Sequence, residues 1–402
     1  MRRRFYVAIL VAMALADWGA AFDVSYHFGH VFDEFSFPHL AVAVGVGCQV
    51  ALLLYALVYR RDRLVAVERV AITVALVALV IDLVDIPLDL LWHLIFGIDA
   101  TTWSPTHLLF NYPTDLIVVV LVVAQLASPA ARGRGAWLLA FGYFLRAVVA
   151  VHFPLYQQEI GAVALDGLNR AGKAPWYVQP ELRALAGPHA RQLVMGGAPA
   201  WLYPIYFALA LSYALTVGRV VLAGWRGTTR THFRWPWPFG VATALAAGYL
   251  VWRIGLQTLY LAIHGAYTVV PWYLLGMGLV VDIVLTFGPR PIAWALAAWR
   301  PALLPREHLV AAALAGVAAA LALYTGMALM GALRMVVPPA PLAALPFACV
   351  SGAAGALLGM GVGTRVSQLL TSRAEPPAAS PDLAARRLGP PLEASPLGSR
   401  PG

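Results

Sequence analysis

The sequence is poor in charge, in lysine and in cysteine. Charged residues make up 12% of the 402 residues, whereas an ordinary soluble domain has about 25%. Lys173 is the single lysine, and the other 27 basic residues are arginines. Cys48 and Cys349 both lie in apolar runs without a CxxC, which excludes a disulfide framework and zinc-finger spacing. The low charge excludes a soluble globular protein.

Apolar residues dominate the composition instead. They make up 61% of the chain, and the mean hydropathy is +0.74. A membrane-spanning helix needs about 20 consecutive apolar residues. We therefore predict an all-α fold, a polytopic membrane helix bundle of about ten transmembrane helices in contact with the lipid bilayer. The apolar runs cover residues 5–21, 39–59, 70–90, 107–127, 136–153, 200–218, 238–260, 268–287, 309–330 and 342–363.

The distribution of arginines predicts the topology. The connections near 22–38, 91–106, 261–267 and 331–341 contain only Arg334, and the intervening connections are rich in arginine. Arginine and lysine mark the cytoplasmic side of a membrane protein. We predict a multi-pass protein of the cell inner (plasma) membrane with both termini cytoplasmic. The same asymmetry accounts for the net charge of +9 without a nucleic-acid partner.

The composition predicts three regions. Residues 1–130 form a four-helix membrane unit with a repeated Asp/His motif, and residues 131–371 form a six-helix membrane region with a long external loop at 154–199. Residues 372–402 are rich in Pro, Ala, Ser and Arg and predict a disordered cytoplasmic tail. The basic, apolar start that ends in Ala14-Leu15-Ala16 also fits a cleaved secretory signal. The motifs then still lie outside the cytoplasm.

The Asp/His motif occurs twice. In both copies a His follows the first Asp by four residues, a second Asp follows that His by six, and a second His closes a Ser- and Pro-containing turn. An aromatic residue precedes the first His in each copy, and the second His begins a new apolar run. The first copy comprises Asp23, His27, Asp33 and His39, and the second comprises Asp89, His93, Asp99 and His107.

This spacing gives each copy the donors of a metal site. Residues i and i+4 lie on one face of a helix, so the first Asp and His of each copy can face one ion. The Ser-Pro turn starts the next helix and returns the second His to the same level. Two imidazoles and one carboxylate suit copper, iron or zinc. The predicted ligands are Asp23, His27, His39, Asp89, His93 and His107, with Asp33 and Asp99 as fourth ligands or as acceptors that orient a His ring.

The surrounding charge favours a bound cation. Nine acidic residues between 17 and 115 fall in the outer connections or outer helix halves, and no basic residue of that stretch lies at their level. A charge at membrane depth costs several kcal/mol unless it is paired, hydrated or bound to an ion. Arg146 and Arg253 are expected at the depth of Asp82 and Asp115 and can offset part of this charge as ion pairs.

The second copy resembles the metal motif in the C subunit of copper membrane monooxygenases, the particulate methane and ammonia monooxygenases. The similar residues are Asp89-Leu-Leu-Trp-His93, Asp99, and Ser104-Pro-Thr-His107 followed by Tyr112-Pro113. That subunit carries a second such motif two membrane helices away, and here Asp23 precedes Asp89 by 66 residues. The pattern is also similar to that of uncharacterised bacterial membrane proteins. The resemblance covers residues 1–130.

The resemblance implies a copper site that activates oxygen, with a neighbouring second site. It further implies other monooxygenase-like membrane subunits as partners and a small apolar substrate delivered by the bilayer. Two alternatives use the same residues. One is a proton- or cation-coupled transporter, with Asp282 as the main acid of the inner half, and the other is a zinc-dependent membrane hydrolase. The sequence lacks the HxxHH clusters of membrane desaturases, a Walker A motif, GxSxG and CxxCH.

Overall fold

The chain forms an all-helical bundle in those parts that the structure, a computed structural model, describes. These are residues 3–27, 37–96, 105–128, 136–155, 201–228, 240–263, 270–289, 291, 306–333 and 340–372. They contain ten long helices: α1 Arg3–His27, α2 Phe37–Tyr59, α3 Ala66–Phe96, α4 Pro105–Ala127, α5 Ala136–Leu155, α6 Leu202–Thr228, α7 Val241–Ile263, α8 Tyr273–Phe287, α9 Glu307–Ala332 and α10 Leu345–Ser372. Each predicted apolar run coincides with one of these helices. Of the predicted loop at 154–199, residues 154–155 belong to α5 and the rest lie outside the described residues. Of the predicted tail at 372–402, Ser372 ends α10 and the rest lie outside the described residues.

Six of these helices are long and apolar enough to cross a membrane, which makes the chain a multi-pass membrane protein. They are α1, α2, α3, α6, α9 and α10. The described apolar parts of the other four are shorter, at Leu116–Ala127, Ala136–Val151, Val241–Leu256 and Tyr273–Phe287. The count of about ten spanning helices therefore stays a prediction.

Helices α1 to α5 form a closed ring. Each contacts the next along the chain, and α5 returns to α1. The contacts are most extensive within the pairs α1–α2 and α3–α4, so the two copies of the motif are carried by two helical hairpins, as the repeat predicts. The ring core is apolar and includes Ile9, Leu53, Ile72, Leu121 and Val148, which are all buried.

Helix α6 lies at the centre of the second half of the chain. It contacts α7, α8, α9 and α10, and its contact with α10 is the most extensive in the molecule. Glycines permit this approach: a Cβ at Gly355 would lie directly against the carbonyl oxygen of Leu209, and one at Gly359 would lie 2.8 Å from the carbonyl oxygen of Tyr213. Small residues at such positions let two membrane helices pack backbone to backbone. Helices α5 and α7 join the two halves, because α5 contacts α6 and α7, and α7 contacts α1.

Candidate metal centre

The helix boundaries put the predicted ligands in the terminal turns of two hairpins. Asp23 and His27 lie in the last turns of α1, and His39 lies in the first turn of α2. Asp89 and His93 lie in the last two turns of α3, and His107 is the third residue of α4. Helices α2 and α4 begin directly after Ser36 and Ser104, as the Ser-Pro turn predicts.

The packing of α1 on α2 fixes the register of the first copy. A Cβ at Gly45 would lie 2.6 Å from the backbone nitrogen of Ala16, and one at Gly19 would lie 2.9 Å from the carbonyl oxygen of Pro38. The two helices are therefore antiparallel and in close contact, with the start of α2 beside residues 19–23 of α1. This register brings the backbone of Asp23 and that of His39 to the same level.

Both copies lie at the same end of the bundle. At the opposite end, the Tyr6 hydroxyl donates a hydrogen bond of 2.6 Å to the Glu68 carboxylate, which ties the start of α1 to the start of α3. Tyr6 also hydrogen bonds with Ser128, just past the end of α4. Because α1 and α3 both start at this end of the bundle, both helices end at the other end. Helices α2 and α4, which follow them in the chain, begin at that other end. The hairpin ends that carry His39 and His107 therefore face the same side.

A stripe of acidic residues on α3 leads towards the second copy. The buried face of this helix runs through Ala71, Ala75 and Ala78 and continues as Asp82 and Asp85, each only 2% exposed. Asp89, one turn further on, is half-buried. The steps of three and four residues keep these positions on one face. The inward face of α3 is thus apolar in one half and acidic in the half nearest the motif.

The structure describes the side chains of two of the eight predicted site residues. His39 is half-buried and, like Asp89, makes contacts within the bundle. Among the side chains that the structure describes, no group of three His, Cys, Asp or Glu residues is close enough to hold a metal ion. The side chains of Asp23, His27, His93 and His107 are outside that set, and Asp33 and Asp99 lie outside the described residues altogether. The predicted ligand sets therefore stay predictions.

An aromatic cluster lies directly beneath the first copy. The Trp18 ring stacks on Phe22 at a centroid distance of 5.6 Å, and Phe37 meets Trp18 edge-on at 5.7 Å. Trp252 and Leu256 of α7 pack against the same cluster. The cluster thus connects the motif end of α1 to α7.

The interior of the bundle contains an ion pair of the kind that the sequence predicts. Arg146 of α5 forms a buried ion pair with Asp17 of α1, and both side chains are about nine-tenths covered. The sequence predicts that Arg146 offsets part of the charge of the nine acids, and Asp17 is one of them. Arg253 of α7 is completely buried, and its guanidinium lies 5.8 Å from the centre of the Trp252 ring. Arg146 of α5 thus neutralises one of the acids carried by the motif unit.

Asp282, the acid on which the transporter alternative depends, is engaged in the packing of three helices. Its carboxylate accepts hydrogen bonds from the backbone N–H groups of Ala242 and Thr243 at the start of α7 and from the Thr243 hydroxyl. It also pairs with Arg219 at 3.4 Å. The first N–H groups of a helix have no partner within that helix, and Asp282 of α8 supplies one to α7. Its surroundings explain its burial without a transported ion.

Glu68 has a structural role that the sequence pattern does not predict. Its carboxylate is fully buried, and besides Tyr6 it accepts the backbone N–H of Val65 at 3.0 Å. Tyr143 donates to the carbonyl oxygen of Tyr6 at 3.0 Å, which brings α5 into the same cluster. The sequence does contain one signal for this role, the spacing of a capping box. Glu68 follows Val65 by three residues, and Val65 immediately precedes α3. The partner on α1 leaves no local pattern in the sequence.

Comparison with known protein families, with curated proteins and with solved structures finds no match to this chain.

Proposed function

We propose that this multi-pass membrane protein is a metalloprotein that holds copper at the shared end of the α1–α2 and α3–α4 hairpins and acts as a monooxygenase-like subunit. The observation that supports it is the common location of the two motif copies, each in the terminal turns of a closely packed hairpin. The first site would use Asp23, His27 and His39. The second would use Asp89, His93 and His107.

The donor chemistry fits such an ion. Each hairpin end offers one carboxylate and two imidazoles, a set that copper, iron and zinc accept. The acidic stripe of α3 ends at Asp89 and gives this end of the bundle a negative field that attracts a cation. Copper would supply the oxygen activation, and the chain's own residues would hold the ion, exclude water and admit an apolar substrate from the bilayer beside Phe37, which is 58% exposed.

The proposed topology has ten spanning helices, with the motif end outside the cytoplasm and both termini inside. Helices α4 and α7 each have 23 residues and α5 has 20. At about 1.5 Å per residue these lengths correspond to roughly 30–35 Å, enough for a hydrocarbon core of about 30 Å. The 15 residues of α8 correspond to about 22 Å, so α8 is the shortest of the proposed spans. The arginines of the connection between α2 and α3 lie at the opposite end, which supports a cytoplasmic location for that end.

The transporter is the second candidate, and the buried Asp82 and Asp85 are the observation that favours it. A transport pathway needs polar groups that continue to the other side of the membrane. The buried acids that the structure describes at that side have fixed partners: Glu68 binds Tyr6 and the start of α3, and Asp282 binds Arg219 and the start of α7. We therefore rank the metalloprotein first.

Metal loading distinguishes the candidates. Detergent-purified protein is loaded separately with copper, iron or zinc and desalted, and its metal content and spectra are then measured. We expect stoichiometric copper with a paramagnetic Cu(II) signal in the wild type and in His308→Ala, whose side chain is exposed at the start of α9. His93→Ala should lose about half of that copper, because it removes a donor from only one of the two sites. Stoichiometric zinc alone would favour the hydrolase. Absence of metal together with cation flux in proteoliposomes would favour the transporter.

The catalytic part of the proposal is tested with isotopic oxygen. Copper-loaded protein in nanodiscs receives ¹⁸O₂, a short-chain alkene and a quinol, which supplies the two electrons that reduce the second oxygen atom to water. We expect one ¹⁸O atom in the oxidised alkene with the wild type and with His308→Ala, and none with His93→Ala. Full copper occupancy with no labelled product from the wild type or from His308→Ala would limit the function to metal binding.

A further inference from the structure

Six of the described arginines lie around the starts of α1 and α3, at the end of the bundle opposite the motifs. They lie in the first turns of α1 and α3 and in the connection between α2 and α3, and the hydrogen bond from Tyr6 to Glu68 brings these segments together. All are exposed except Arg60, which is half-exposed. We call this set the basic rim, and it comprises Arg3, Arg4, Arg60, Arg61, Arg63 and Arg69.

The acids of the same segments do not cancel this charge at the surface. Glu68 is fully buried, where it binds the Tyr6 hydroxyl and the backbone N–H of Val65. Asp62 is the one exposed acid among residues 60–69 that the structure describes, and it lies 4.0 Å from Arg63. The outward face of the rim is therefore strongly basic.

The rim lies at the boundary of the apolar surface. Val58 and Tyr59 at the end of α2 are 66% and 72% exposed, and Val70 in the first turn of α3 is 66% exposed. Exposed apolar and aromatic side chains face lipid, and tyrosines collect at the level of the lipid headgroups. Tyr55 accepts a hydrogen bond of 2.9 Å from Arg60, whose guanidinium also lies 5.6 Å from the centre of the Tyr55 ring. The guanidinium groups of the rim therefore lie next to the edge of the lipid-facing apolar surface.

The connection that carries half of the rim is ordered. Residues Arg61–Arg63 form a 3₁₀ turn in which the backbone N–H of Arg63 donates to the carbonyl oxygen of Arg60 at 2.9 Å. Leu64 is buried and anchors the turn in the bundle core. A group held in place before binding loses less conformational entropy when its ligand arrives.

We propose that the basic rim binds the phosphate group of an anionic phospholipid in the adjacent leaflet. Guanidinium groups bind phosphate oxygens through paired, charge-assisted hydrogen bonds, and the exposed side chains of Tyr59 and Val70 would contact the acyl chains. The same chemistry would serve inorganic phosphate, but the position of the rim next to the apolar surface selects the lipid. This interaction is independent of the metal site at the other end of the bundle.

The test uses the full chain in nanodiscs of phosphatidylcholine with increasing phosphatidylglycerol. Retained anionic lipid is measured by native mass spectrometry and the melting temperature by intrinsic fluorescence. The rim variant is Arg61→Gln/Arg69→Gln. The matched control is Arg306→Gln/Arg365→Gln, which removes the same charge from exposed positions at the ends of α9 and α10.

We expect the rim variant to bind phosphatidylglycerol about 25-fold more weakly than the wild type, since each of the two basic residues near an anionic surface contributes about a fivefold factor. The control should bind like the wild type. Equal binding by the rim variant and the wild type would overturn the proposal, and so would an equal loss in the control. Protection by inorganic phosphate in pure phosphatidylcholine, equal to that by phosphatidylglycerol, would replace the lipid with a free anion.

Discussion

Asp17 and Arg146 form an ion pair inside the bundle, where each side chain is about 90% covered. Removal of one member of a buried pair leaves the other charge without compensation, which costs about 3–5 kcal/mol, whereas replacement of both by apolar residues is often neutral. The interior of a membrane protein enlarges this difference, because lipid cannot hydrate the remaining charge.

Arg146→Leu should therefore lower the free energy of unfolding by about 3–5 kcal/mol, and Asp17→Leu should have a similar effect. The double variant Asp17→Leu/Arg146→Leu should be more stable than either single variant, because it leaves no unpaired charge. Reversible unfolding in mixed micelles measures this cycle. If the free energy of unfolding lost in the double variant equals the sum of the two single losses, the two side chains do not stabilise each other.

Asp282 offers a second test at a single residue. Its replacement by alanine removes both the partner of Arg219 and the acceptor for the start of α7, so we expect a loss of about 3–5 kcal/mol. Thr286→Val removes only the hydroxyl that accepts from Arg219 at 2.8 Å, and we expect a loss of about 1.5 kcal/mol. Both variants should keep their metal. An Asp282→Asn variant with wild-type stability and altered cation flux would contradict the structural role.

At the scale of elements, the α1–α2 hairpin depends on two glycines in contact with opposing backbone. Gly45 faces α1 and leaves no room for a Cβ beside Ala16, whereas a Cβ at Gly47 on the same helix would meet nothing within 4 Å. Helix α2 therefore contains a matched pair of positions that differ in packing alone. The first copy of the motif needs this hairpin to stay closed.

Gly45→Val should separate α2 from α1 and destabilise the protein by about 1–3 kcal/mol through overpacking. It should also weaken metal binding at the first copy more than at the second. Gly47→Val should retain wild-type stability to within about 1 kcal/mol, since glycine is a poorer helix former than other residues. Thermal unfolding and metal titration of the two variants measure this. Equal effects at both glycines would contradict the close approach at Gly45.

The sequence predicts the elements well and their contacts poorly, for physical reasons. Apolar runs and Ser-Pro turns act locally, so α2 and α4 begin directly after Ser36 and Ser104. The partners of Arg146, Glu68 and Asp282 depend on which helices touch, and residues far apart in the sequence supply them. Hydropathy does not reveal that Asp282 caps a neighbouring helix. The repeat predicts the two hairpins because identical spacings produce identical local structure.

At the scale of the whole molecule, the proposed orientation follows from the arginines at one end and the acids at the other. A chain that lacks Cys48 and Cys349 and carries Thr101→Cys between α3 and α4 reports the location of the motif end. We expect a membrane-impermeant maleimide to label this cysteine from outside intact cells. Labelling only after the cytoplasm is opened would reverse the orientation.

The most direct test of the metal centre counts copper ions per chain. The motif occurs twice, so the wild type and His308→Ala should each bind about two coppers after loading and desalting, a stoichiometry suited to three protein ligands per ion. His27→Ala/His39→Ala and His93→Ala/His107→Ala should each bind about one, because each loses two of the three donors at one site. A wild type that holds no stoichiometric copper, iron or zinc, or motif variants that bind as much as the wild type, would contradict the account.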